Sequence, residues 1–74
     1  MNNDKEFLEK LGLNIKLERV RKRLTQEDLA ELVGCDRSYI SLVERGKQNP
    51  SITKFIKISK ALEVEIKAFL DGLL

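Results

Sequence analysis

The chain has no histidine and no tryptophan, one cysteine and one proline, and only 5% of its 74 residues are aromatic. Each shortage closes a route. With no His and a single Cys, the usual nitrogen and sulfur ligands of zinc are missing and no internal disulfide can form. The missing His also removes the side chain that most often serves as a general base near neutral pH. The Ser and Asp residues present are not spaced as a nucleophile and its base, and no glycine-rich phosphate loop occurs. No enzyme activity and no cofactor are therefore expected. No apolar run approaches the roughly 18 residues of a membrane span, and no apolar region near the N-terminus suggests secretion. The expected location is the cytoplasm. Cys35 is expected to be a small apolar filler in a turn rather than an activated thiol.

What remains is an aliphatic, strongly charged chain, 42% hydrophobic and 35% charged. Its length makes one domain over residues 1–74, able to bury about 60% of its unfolded surface. A fold of that size has modest stability unless a partner adds to it. The net charge of +2 hides an uneven distribution. Lys16 to Arg23 carries five basic residues against Glu18, and Arg37 to Lys60 carries six against Glu44. The acids gather at Asp4 to Glu9, at Glu27, Asp28 and Glu31, and at Glu63, Glu65 and Asp71. A basic side of this kind fits a polyanion, although Lys54, Lys57 and Lys60 read more simply as the solvated face of a helix.

The hydrophobic spacing predicts helices throughout and no strand. The first runs from about Lys5 to Lys22. At about 100° per residue, Leu13, Leu17, Val20 and Leu24 form one stripe and Phe7, Leu8, Leu11 and Ile15 a neighbouring one. The two together predict a wide buried face. Thr25 followed by Asp28 has the spacing of a capping box, which starts a second helix. Its inward side is expected to hold Leu29, Ala30, Leu32 and Val33. Gly34 suits the left-handed position just past a helix end, and Asp36 suits the cap of a third helix. That helix begins near Arg37 and ends before Gly46, with Ile40 and Val43 inward and Tyr39 and Glu44 beside them. Arg37, Ser38, Ser41, Leu42 and Arg45 lie on the opposite arc. Simple solvation favours Glu and Lys there, whereas Arg can fork onto guanine, Ser can bond base edges and Leu can touch a thymine methyl.

The polar loop Gly46 to Asn49 and Pro50 lead to Ser51, the expected cap of a fourth helix. Ile52, Phe55, Ile56, Ser59 and Leu62 are predicted to face inward. A last helix from about Glu65 carries Ile66, Phe69 and Leu70, and Gly72 separates it from Leu73 and Leu74. Phe69, Leu70, Leu73 and Leu74 are the least explained apolar residues of so small a domain, so they are the candidates for an interface with a second copy.

The run Thr25-Gln26-Glu27-Asp28-Leu29-Ala30, then Gly34, Ser38-Tyr39-Ile40-Ser41, Glu44-Arg45-Gly46 and Asn49-Pro50-Ser51, resembles the Cro/CI-type (XRE) helix-turn-helix family over about Leu11 to Leu70. The stretch Asp36 to Ser41 and the short length are similar to the controller proteins of restriction-modification systems. The resemblance implies an all-α, five-helix, lambda-repressor-like domain. It also implies a regulator that binds double-stranded DNA as a homodimer on a pseudo-palindromic operator, with RNA polymerase as a further candidate partner. Two-fold symmetry places the half-sites about one helical turn, roughly 34 Å, apart. Base readout is expected from Arg37, Ser38, Ser41 and Leu42, and phosphate contacts from Gln26, Tyr39, Arg45, Lys47 and Asn49. The family pattern implies that Arg19 pairs with Glu44. It often has Gly where this chain has Arg23 and Glu63, so strain is expected at Arg23 if the backbone is left-handed there. The alternative is an antitoxin or another protein-interaction module of the same fold.

Overall fold

The computed structural model describes residues 4–73. They form five helices in the order α1 (Asp4–Arg21), α2 (Gln26–Val33), α3 (Arg37–Glu44), α4 (Ile52–Leu62) and α5 (Ile66–Leu70), and no strand occurs among them. The capping box is present in full: Thr25 Oγ1 accepts from the Asp28 amide and Asp28 accepts from the Thr25 amide, both over 2.9 Å. Satisfying these free donors fixes where α2 starts. Gly34 ends it in the left-handed region at φ 83°, and its amide bonds to the carbonyl of Ala30. With only the short connection through Asp36 before α3, the turn sets α2 and α3 into a helix-turn-helix. Asp36 occupies the cap position but its side chain makes no capping bond, so backbone geometry alone starts α3. Ser51 caps α4 by accepting from the Lys54 amide.

The core is aliphatic, with two phenylalanines. Ile15, Leu29, Ile40, Ile58 and Leu62 are fully enclosed, and the rings of Phe55 and Phe69 meet with centroids 5.8 Å apart. Ser59 is buried among them, its hydroxyl satisfied by the carbonyl of Val64.

Four expectations about faces need correction. On α1 only the stripe with Leu11 and Ile15 is buried, with Phe7 and Leu8 partly covered; Leu13, Leu17 and Val20 face solvent. At about 100° per residue the two stripes lie on opposite sides of the helix rather than side by side, so one packed face cannot bury both. The buried side is the one that carries Gly12, where a Cβ would lie 2.3 Å from the Val43 carbonyl oxygen and α1 meets the end of α3 backbone to backbone. On α2, Leu32 is exposed because it sits roughly 100° of arc from the centre of the Leu29, Ala30 and Val33 face. On α4, Ile52 is exposed in the first turn, Ile56 is only partly buried, and Ile58 takes an inward place, completing the set Phe55, Ile58, Ser59 and Leu62. Phe69 is 1% exposed within its own protomer, so its ring cannot also supply an interface. Leu70 and Leu73 are half-buried, and Leu74 lies outside the described residues.

Arg23 and Glu63 both have left-handed backbones, at φ 62° and 59°. A side chain in this conformation crowds the carbonyl that follows, which disfavours it relative to glycine. The ends they terminate are joined by Lys22 Nζ, 2.6 Å from Glu63 Oε1.

Candidate nucleic-acid interface

The recognition candidate is α3, and it is anchored at its C-terminal end. Glu44 lies within the fold, and its carboxylate accepts from Arg19 Nε over 2.6 Å and from Arg19 Nη2 over 3.1 Å. Arg19 uses its remaining arm, Nη1, on the carbonyl of Leu24 over 2.7 Å, just before the cap of α2. Gln26 Nε2 donates to Glu44 Oε1 over 3.0 Å. One carboxylate thus ties together α1, the connection into α2, the first turn of α2 and the end of α3. A bidentate, charge-assisted arrangement is the form in which a buried pair is well satisfied. The Gln26 hydrogen bond is invisible in the sequence, since nothing in the spacing of Gln26 and Glu44 announces it.

From this anchor α3 projects an exposed start. Arg37 and Ser38 are exposed, as is Arg45 beyond the last turn, while Ser41 and Leu42 are half-buried. Lys47 and Asn49 are exposed in the loop that follows. The expected reading residues therefore divide into two exposed side chains at the N-terminal end and two partly covered ones behind them. Ser38 and Leu42 border a groove with Tyr39, Cys35 and Lys54. Lys54 belongs to α4, so the fold brings beside α3 a cation whose sequence context suggested only a solvated helix face.

Tyr39 is half-buried, and this desolvation raises its phenol pKa, with a hydrogen bond from the Ser51 backbone pulling the other way. A neutral phenol has a proton to donate. Gln26 likewise retains one Nε2 proton beyond the one given to Glu44. Both can still serve an anion. Burial pushes the Cys35 thiol up, with Lys54 opposing and Asp36 adding to the shift. The thiol form is favoured, in keeping with a filler packed against the core. Among the described residues no group of acidic, Cys or His side chains could hold a metal ion, and no helix is long and apolar enough to cross a membrane.

A capped helix, a glycine turn and a second helix anchored at its far end, its start left exposed, define a helix-turn-helix protein. The helix-turn-helix family model matches residues 15–69, and the chain belongs to that family. Its relatives include control protein C.SmaI of Serratia marcescens, 37% identical over 65 residues that cover 88% of this chain and 77% of the relative. Another is the transcriptional regulator SinR of Bacillus subtilis, 40% identical over 62 residues, 82% of this chain and 56% of the relative. The crystal structure of the restriction-modification controller protein C.AhdI from Aeromonas hydrophila superposes with a TM-score of 0.81 at 42% identity, covering 84% of this chain and 94% of that one. The chain spans about half the length of several curated relatives that it matches, between 40% and 56% of three of them.

Proposed function

We propose that this chain is a sequence-specific double-stranded-DNA-binding transcriptional regulator of the restriction-modification controller type, acting as a homodimer on a pseudo-palindromic operator in the cytoplasm. The observation that carries the reading is the exposed Arg37–Ser38 start of a helix whose other end is fixed by the Arg19–Glu44 pair. Arg37 is the principal base reader, with Ser38, Ser41 and Leu42 contributing less. Gln26, Tyr39, Arg45, Lys47 and Asn49 hold phosphates, which set register without carrying sequence information. A regulator that activates from such a site also meets RNA polymerase. The kinship with C.SmaI and C.AhdI supports the controller assignment.

Selection of binding sites from random duplexes tests the proposal. The expected product is a pseudo-palindrome whose half-sites are centred about one helical turn, roughly 34 Å, apart. A single unrepeated element, or half-sites on opposite faces of the duplex, overturns the homodimer, and failure to enrich any sequence overturns specific recognition.

A further inference from the structure

The three lysines of α4 do not share one environment. At about 100° per residue, Lys54, Lys57 and Lys60 step round the helix by roughly 60° each. Lys57 and Lys60 are exposed and border a groove with Leu32 and Val33 of α2. Lys54 is half-buried and borders a different groove, whose facing wall is Ser38, Tyr39 and Leu42 of α3. Its charge is felt inside that groove: burial raises the pKa of the Cys35 thiol there, and Lys54 pulls it back.

Two hydrogen bonds fix where Lys54 sits relative to α3. The Tyr39 phenol oxygen accepts from the backbone amide of Ser51, and the Ser51 hydroxyl accepts from the backbone amide of Lys54 over 3.2 Å. The first ties α3 to the cap of α4, and the second sets the turn from which Lys54 projects. The ion pairs of the described residues employ Lys10, Arg19, Arg21 and Lys22 as their cations. Lys54 is in none of them, although Asp36 borders the same groove. An ammonium held beside a neighbouring helix with its donors unspent is preorganised for an anion from outside.

Tyr39 opens on the same groove and has a phenol proton to give. Ser38 and Leu42, which also line it, are among the proposed base readers. A phosphate flanking the bases they read would meet a hydroxyl from α3 and an ammonium from α4 together. We propose that Lys54 and Tyr39 hold one DNA phosphate between them, with Lys54 as a positioning residue that seats α3 in the major groove. The proposal rests on the DNA-binding reading above and adds to it a contact from α4. Such a contact fixes register without reading sequence.

The test uses the full chain and the selected palindrome. Lys54→Gln is compared with Lys57→Gln and Lys60→Gln, which remove the same charge from the same helix on the side of the other groove. Thermal unfolding checks that all three fold. Lys54→Gln should weaken binding about tenfold, and make the salt dependence shallower by about one unit of log-log slope, for each copy bound. The other two variants should stay within about twofold of the parent, and Lys54→Arg should restore the slope. Neutral methylphosphonates placed one at a time along the duplex then locate the contact. One symmetric pair of positions should weaken the parent while costing Lys54→Gln little more, and Tyr39→Phe should show a reduced loss at the same pair. Equal effects of the three lysine variants, or different positions for Lys54 and Tyr39, overturn the shared phosphate and leave DNA binding standing. A changed base preference with an unchanged salt slope overturns it as well, by making Lys54 a base reader. A parent chain that binds no duplex overturns this proposal and the DNA-binding reading together.

Discussion

The side-chain amide of Gln26 donates to Glu44 over 3.0 Å, joining the first residue of α2 to the last residue of α3. The oxygen it uses also accepts from Arg19, so the angle between the two helices is set by a carboxylate rather than by the turn alone. Removing Arg19 leaves a carboxylate whose side chain is 2% exposed without its counter-charge.

Arg19→Ala should therefore lower unfolding stability by about 3 kcal/mol, the usual cost of stranding one member of a buried pair. Chemical denaturation measures the loss. A change below about 0.5 kcal/mol would mean the pair behaves as an exposed one. Base preference in the fraction still folded should not change, because Arg19 stands away from the exposed end of α3.

Gly12→Ala tests the close approach of α1 to α3. Alanine is the better helix former by about 1 kcal/mol, so an open site would show a gain. The new Cβ would lie 2.3 Å from the Val43 carbonyl oxygen and 2.6 Å from that of Glu44. Backbone must move to admit it, and a net destabilisation of about 1 to 3 kcal/mol is expected. Equal or greater stability in thermal melts would show that α1 can slide without penalty.

Much of the helix-turn-helix is legible in the sequence because its signals are local. Thr25 and Asp28 are three residues apart and Gly34 needs only its own backbone, so composition and spacing suffice. The two stripes of α1 are a different matter: Leu13, Leu17 and Val20 are as apolar as Leu11 and Ile15, and no periodicity ranks one above the other. The side that is buried carries a glycine that meets a carbonyl 31 residues further along. Ile58 escapes the pattern on α4 for a related reason. Ile52 and Ile56 extend the apolar arc to one side, which draws the predicted face away from its true centre. Arg19 with Glu44 is reached through the family pattern, whereas the third member, Gln26, has no signal in the chain at all.

The residues proposed to face DNA should differ in kind. Arg37→Ala should cost about 1 to 3 kcal/mol on the preferred site and flatten preference at one symmetric pair of positions. Lys47→Ala should weaken all duplexes alike and make the salt dependence shallower by about one unit of log-log slope for each phosphate no longer neutralised. Titrations against specific and random duplexes over a salt series separate the two. Equal weakening on both duplexes for Arg37→Ala would make it a phosphate clamp.

The start of α2 should respond to acid. The Asp28 carboxyl is held below its ordinary value, first by the Thr25 backbone amide and then by the Thr25 hydroxyl. A depressed folded pKa contributes stability that is present above the unfolded value, near pH 4, and lost as pH falls through the folded one. Asp28→Asn should abolish this part of the pH dependence below about pH 4. Parallel acid titrations of the two proteins followed by helical signal measure it, and superimposable curves would deny the box its role.

The asymmetry of α3 separates two kinds of change that the gene can undergo. The ion pair that anchors the helix sits at its Glu44 end, while Arg37 and Ser38 are exposed at an end that has no side-chain cap to lose. Substitutions at those two positions leave the core and the anchoring carboxylate untouched. On the readout proposed for Arg37 and Ser38, a lineage could drift from one operator to another while the scaffold stays under separate constraint, and a laboratory library confined to these two positions should yield folded members in most of its wells.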